Sequence, residues 1–219
     1  MIHPSAIIEE GAQVAPDVEI GPYAVVEAGA IVGARCRLGA HSVVRRGAVL
    51  EEGVVVDCSA VVGGLPQDLH FDPATPTGVH VGKGTVIREH VTIHRATIAG
   101  TSTKVGAGCL LMATCHVAHD CQLGDGVILA NAVLMGGHVS IGAGAFIGGT
   151  AAIHQHVRIG PRAMISGVSR ITRDVPPFCM VAERDHLVGL NIVGLRRAGF
   201  SRNQIAEIKA CFHAIFDEV

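Results

Sequence analysis

Four histidines in the second half of the chain, His116, His119, His138 and His154, carry the side chains best suited to proton transfer near neutral pH. Two of them straddle a valine in Cys115-His116-Val117-Ala118-His119-Asp120-Cys121. A carboxylate next to His119 can raise the basicity of the imidazole, so this pair reads as a general base and its orienting partner. The same rings also read as metal ligands. Neutral His116, His119 and His138, brought together from stacked turns of chain, could surround a zinc ion and activate its water. Cys109, Cys115 and Cys121 lie six apart like a ladder of thiolates, yet they share a column with small residues and read as buried fillers. Arg196-Arg197 offers two guanidinium forks that match a diphosphate, or simply a solvated helix face.

What must position these residues is a repeat of six. An aliphatic side chain recurs at Ile2, Ile8, Val14, Ile20, Val26, Val32, Leu38, Val44, Leu50, Val56 and Val62, resumes at Val81, Ile87 and Ile93, skips at Ala99, and runs from Val105 to Ile171. Two residues before each aliphatic stands a small or branched one, such as Ala24, Cys36 or Val133, and glycine often follows, as at Gly21, Gly39 and Gly142. Each hexad therefore makes one short flat strand and one tight corner, and three hexads close a triangular coil. The fold expected is all-β, a left-handed parallel β-helix of roughly eight to nine coils that bury their apolar interior by stacking on one another. A period of six matches neither the 3.6 spacing of a helix nor a run of alternating strands and helices.

Residues 63–78 break the repeat with three prolines and read as an extruded loop, and 95–104 as a second, shorter one. Past Ile171 the repeat stops at Asp174-Val175-Pro176-Pro177. Ser201 with Gln204 then reads as a capping box ahead of a helix of about fourteen residues, with Ile205, Ile208, Phe212 and Ile215 on its apolar face. The division expected is a β-helix over 1–175 and a helical tail over 176–219. A net charge of −2 without a basic run points away from nucleic acid, and no apolar run approaches the ~18 residues of a membrane span. The first residues lack the pattern of a signal peptide and the seven cysteines lack a CxxC pair, so a reducing cytoplasm is expected.

Several segments resemble one family, the acyl-carrier-protein-dependent UDP-N-acetylglucosamine O-acyltransferases: Gln67-Asp68-Leu69, Ile87 to Arg95, His116 to Cys121, Gly137-His138-Val139-Ser140, His154-Gln155, Asp174 to Pro177, and Gly194-Leu195-Arg196-Arg197 with Gly199-Phe200-Ser201-Arg202. The resemblance runs from the start of the chain to about Arg202. It implies transfer of an (R)-3-hydroxyacyl group from acyl carrier protein to the 3-position of a UDP-amino sugar, the first step of lipid A synthesis, at sites between the subunits of a homotrimer, with no metal and no cofactor. By the same resemblance His119 is the general base, Asp120 orients it, and the Gly137 N–H meets the oxyanion. His116, His138, His154 and Gln155 line the cleft, Gln67 and Asp68 hold the sugar, Asn191 and Arg197 face the nucleotide, and Gly167 leaves room for a long acyl chain. The sequence departs from the family at His70, where a lysine is usual, and at Val193 and Ala198, where a carboxylate and an arginine are usual. A relative using coenzyme A or another acceptor, a zinc enzyme and a non-catalytic scaffold are the competing readings.

Overall fold

The computed structural model describes residues 1–216. Among them, two- to five-residue strands build three flat sheets, of nine, eight and ten strands, parallel except for the last strand of the third, and each sheet takes every third strand up to the last two. The first runs from Ile7–Ile8 to Arg170–Ile171, the second from Gln13–Val14 to Arg158–Ile159, and the third from Glu19–Ile20 to His186–Leu190. Ile7 pairs with Val25 and Val25 with Val43, so one coil takes 18 residues, three hexads. The coils wind left-handed. The usual right-handed rule for parallel crossovers rests on twisted strands feeding a helix, and these flat strands feed only corners.

Every hexad aliphatic from Ile20 to Ile171 except Ala99 is buried, with Leu50, Ile87, Ile93, Leu111, Leu129 and Ile147 almost wholly enclosed. Each such side chain contributes about 1.5–3 kcal/mol relative to exposure. The column two residues earlier, including Ala24, Cys36, Val91, Cys115 and Val133, is buried as well. Corners come in three stacks, and one of them, the corner from first to second sheet, carries both irregular segments. There the offset between paired strands grows from 18 to 31 residues between Val61 and Thr92, and to 24 between Thr92 and His116. The excess leaves as loop 65–77, between strands Val61–Gly64 and Gly78–Val81, and as segment 95–101, where exposed Ala99 accounts for the skipped hexad.

The β-structure also runs further than the repeat suggests. At the same corner after Ile171 two residues are dropped: Val175 bridges Ile159 and Val181 pairs with Ile165, each at an offset of 16. Cys179 and Val181 thereby regain the buried columns, and His186–Leu190 returns antiparallel to close the third sheet. The shift of register hides this last coil from a strict count of six, so residues that read as the start of a helical tail are strands. Helices follow at Ile192–Arg197 (α1) and Arg202–Phe216 (α2). The expected capping box is present, with Ser201 N donating to Gln204 Oε1 at 2.8 Å and Gln204 N to Ser201 Oγ at 3.3 Å. Phe212 packs against the β-helix core.

Candidate active site

His119 and Asp120 form the corner directly above segment 95–101, and the surroundings fix the carboxylate before the imidazole. Asp120 takes a left-handed backbone (φ 60°), which a short polar residue tolerates, and its N–H donates to Thr103 Oγ1 at 2.8 Å. Thr97, at the middle of the inserted segment, donates its N–H to the two carboxylate oxygens at 3.1 and 3.2 Å and its hydroxyl to Oδ2 at 2.7 Å. His119 Nδ1 reaches the same Oδ2 at 2.8 Å. Burial pushes the Asp120 carboxyl up, but these hydrogen bonds and nearby His138 outweigh it and hold the group below the usual carboxylate range. An ionised Asp120 can only accept, so His119 carries its proton on Nδ1 and presents the Nε2 lone pair.

One coil higher, Gly137 lies against the face of that ring. A Cβ there would sit 2.4 Å from His119 Cε1 and 2.7 Å from Nε2, so only glycine lets the ring and backbone approach. Gly137 is buried, and its N–H donates to no acceptor among the described residues. His138 follows, its Nε2 3.7 Å from Asp120 Oδ2 and its ring edge-on to His119 at 5.2 Å. His156 stacks on His138 at 4.6 Å. Gln155 stands at the same corner one coil above Gly137, and His154 beside it donates Nδ1–H to the Gln155 carbonyl at 3.1 Å.

Below and beside this corner the outer face of the first sheet adds a second pair. His116 Nδ1 bonds Thr92 Oγ1 at 2.8 Å, and its ring meets His94 edge-on at 4.6 Å. Gly64 makes room for His94, because a Cβ there would fall 2.9 Å from its Cδ2. Burial, reinforced by His116 and His119, pulls His94 down to about 4. Burial and His119 also lower His116, so both rings are neutral at pH 7.

His116, His119, Asp120, Gly137, His138 and Gln155 are thus brought together, with His154 beside Gln155, while the other expected residues lie elsewhere on the chain. Gln67 and Asp68 are exposed on loop 65–77, where Asp68 Oδ1 caps the turn by accepting His70 N at 2.9 Å. Gly167 sits on a different corner stack, between third and first sheets. Asn191 and Arg197 line a cleft of about 700 Å³ against the third sheet, together with Arg162, Met164 and Val193. The Asn191 amide is spent there: Oδ1 caps α1 by accepting Gly194 N at 2.9 Å, and Nδ2 donates to Arg162 O at 3.0 Å. Sequence reasoning did not single out His94, Thr97, Thr103 or His156. His94 and His156 were findable as histidines in hexad phase with the chosen ones, whereas nothing local marks Thr97, which acts from 23 residues away.

The potential metal-binding group that the fold assembles is His119, Asp120 and His138, not the set with His116. Its carboxylate Oδ2 already accepts from Thr97 Oγ1 and faces His119 Nδ1. Cys109, Cys115 and Cys121 are buried fillers, as their column suggests, and burial drives the Cys115 and Cys121 thiols up to about 11 and about 12.

Flat coils with a polar corner of histidines define a hexapeptide-repeat transferase. The family of bacterial transferase hexapeptides (six repeats) matches residues 11–46 and 102–137, and domain 2 of UDP N-acetylglucosamine O-acyltransferase matches 174–219. An acyl-(acyl-carrier-protein)-UDP-N-acetylglucosamine O-acyltransferase of Anaeromyxobacter sp. (strain Fw109-5) is 46% identical over 98% of the chain and 84% of its own length. One from Anaeromyxobacter sp. (strain K) is 42% identical with the same coverage. Among solved structures, LpxA from Acinetobacter baumannii superposes with a TM-score of 0.94 at 38% identity, covering 98% of this chain and 84% of that one. UDP-N-acetylglucosamine acyltransferase from Campylobacter jejuni gives 0.94 at 37% identity, covering 99% and 85%. The chain belongs to the UDP-N-acetylglucosamine O-acyltransferase family, a family of acyltransferases.

Proposed function

We propose that the protein transfers an (R)-3-hydroxyacyl group from acyl carrier protein to the 3-position of a UDP-N-acetylglucosamine-type sugar, as the first step of lipid A synthesis, without metal or cofactor. The observation that carries this reading is the His119–Asp120 pair, buttressed by Thr97 and fitted against Gly137. His119 Nε2 takes the proton of the acceptor hydroxyl as its oxygen attacks the thioester carbonyl carbon. The Gly137 N–H donates to the oxyanion of the tetrahedral intermediate. Collapse breaks the carbon–sulfur bond, and the departing carrier thiolate recovers the proton from His119 Nε2. Asp120 stays ionised throughout and stabilises the transient imidazolium.

The spread of the remaining residues supports a homotrimer with shared sites. Loop 65–77 with Gln67 and Asp68, the Gly167 corner, and the cleft of Asn191 and Arg197 lie on different sides of one triangular coil, so a single pocket containing all of them needs neighbouring copies. In such a pocket His138, His154, His116 and Gln155 line the reacting end, and Gly167 leaves the acyl groove open to longer chains. A reducing cytoplasmic compartment suits thiols used as core fillers. Among the described residues no helix is long and apolar enough to cross a membrane. The division into a β-helix over 1–175 and a tail over 176–219 stands as a proposal about folding units.

The test is turnover of UDP-N-acetylglucosamine with a panel of (R)-3-hydroxyacyl carrier proteins, with products read by mass spectrometry. The wild type should give product and His119→Ala should lose at least about a hundredfold in kcat while keeping its assembly state. Product formed equally well by His119→Ala, or from acetyl coenzyme A alone, would overturn the reading.

A further inference from the structure

Below the His119 corner, the root of loop 65–77 closes over a cleft of about 350 Å³ whose walls include Gly29, Arg46, Pro76, Thr77, Arg95 and Ser102. Two of these side chains are more than nine-tenths buried, Thr77 at 8% exposure and Arg95 at 7%. Thr77 Oγ1 and Arg95 Nε have no hydrogen-bond partner among the described residues. A buried polar group left unpaired costs about 1–3 kcal/mol, more when charged, so both atoms call for an acceptor. The Arg95 guanidinium is not loose. Its Nη2 donates to the Pro73 carbonyl at 2.6 Å, and it lies over the Phe71 ring, 5.2 Å from the centroid.

The charge balance points the same way. Arg45, Arg46 and Arg95 gather around a single carboxylate, Glu27, which is taken up by Arg45 Nε at 2.9 Å and Arg46 N at 3.0 Å. Burial and the two neighbouring guanidiniums bear down on Arg95, and Glu27 offsets them only in part. The side chain of Arg46 has no hydrogen bond or ion pair among the described residues. At the loop root, glycines hold the backbones close: a Cβ on Gly47 would lie 2.5 Å from Thr77 O, and one on Gly78 2.4 Å from Gly47 O.

We propose that this cleft is a phosphate-binding site, with Arg95 Nε, Thr77 Oγ1 and the Arg46 guanidinium as donors to one tetrahedral group. Anion binding follows from the donor set alone. That the anion is a substrate's phosphate rests on the proposed reaction, whose acceptor carries a diphosphate and whose carrier arm a phosphodiester. The cleft spans the coils just below the catalytic corner, and at about 4.8 Å per coil it lies roughly 10 Å from His119. Segment 95–101 joins the two places. Arg95 stands in the cleft wall and Thr97 holds Asp120, so an occupied cleft steadies the strap that fixes the base.

The full chain is titrated calorimetrically with inorganic phosphate and with diphosphate at constant ionic strength, as wild type, Arg46→Gln and Thr77→Val. Saturable binding by the wild type is expected, weakened about tenfold by loss of the Arg46 charge and severalfold by Thr77→Val. Arg46 is exposed, so its replacement leaves the fold intact. No saturable binding at millimolar anion, or equal affinity in all three proteins, overturns the site whatever reaction the enzyme catalyses. A kinetic arm then separates the sources. A raised KM for the nucleotide sugar alone in Arg46→Gln assigns the acceptor's diphosphate, and a raised KM for the acyl carrier alone assigns its arm. Both KM values unchanged overturn the assignment to a substrate.

Discussion

Asp120 and Asp125 stand five residues apart on successive corners of one coil, and they show how a repeat becomes a site. Asp125 is exposed and does what carboxylates do along regular corners: its Oδ1 accepts Ala107 N at 2.8 Å, as Asp17 accepts Arg35 N and Glu9 accepts Ala28 N. Asp120 is partly buried, and its oxygens go instead to Thr97 and His119. The two carboxylates hold different places in their corners: Asp120 takes the left-handed backbone, which at the next corner falls to Gly126, one residue after Asp125. The coil beneath differs as well: at Asp120 it has six residues added and lifts Thr97 to the carboxylate. In the proposed mechanism, a staple between corners is thereby turned into the orienting partner of a base.

The largest effect that should separate the two corners comes from Gly137→Ala. A methyl 2.4 Å from His119 Cε1 must displace the ring, and a misplacement of about 1 Å costs on the order of a hundredfold in rate. The expected result is kcat down about a hundredfold with an unchanged far-ultraviolet dichroism spectrum. Activity within twofold of wild type would show that the ring does not need this contact.

Next comes Asp120→Asn. The amide keeps the shape, but its NH2 must face a donor, either Thr97 N at the Oδ1 end or Thr97 Oγ1 and His119 Nδ1 at the Oδ2 end, and the charge that favours imidazolium is gone. A loss of about ten- to a hundredfold in kcat is expected. A kcat within twofold of wild type would mean that Asp120 serves only to hold segment 95–101.

Most of the fold was legible because the hexad is a local rule: Ile87, Leu111 and Ile147 announce themselves by phase alone, and each is buried where phase puts it. The last coil was not legible, because dropping two residues between Ile171 and Val175 moves Cys179 and Val181 out of phase while leaving them in the core. The base and its partner are neighbours in sequence and could be read directly. Thr97 could not, since what brings it to Asp120 is the depth of an inserted segment and the stacking of coils 24 residues apart. Within one chain Asn191 and Gly167 do not meet His119, so the common site proposed for them rests on assembly.

A smaller effect sets the half-buried His94 against the exposed histidines. With its folded value near 4 against about 6.5 when unfolded, the unfolded chain binds more protons between those values. Stability should therefore be full above pH 6.5 and fall as pH drops from 6.5 toward 4, by about 3 kcal/mol from this ring. Chemical denaturation across that window, for wild type and His94→Phe, checks the sign: the variant should lose most of the slope. The carboxylate of Asp120, held low, adds its own loss only toward the bottom of the window and below.

The smallest expected effect is that of Asp125→Asn, and it bears most directly on the contrast between the corners. An amide oxygen at this position can still accept Ala107 N, the group is solvated, and no imidazole depends on its charge. Stability should stay within about 0.5 kcal/mol and kcat should be unchanged. If Asp125→Asn instead lowered kcat as much as Asp120→Asn, the added residues around Thr97 would not be what distinguishes the two corners, because charge along the whole coil would then be acting on the base. Equal loss of stability without loss of rate would place both carboxylates among the staples and leave His119 to work without an orienting partner.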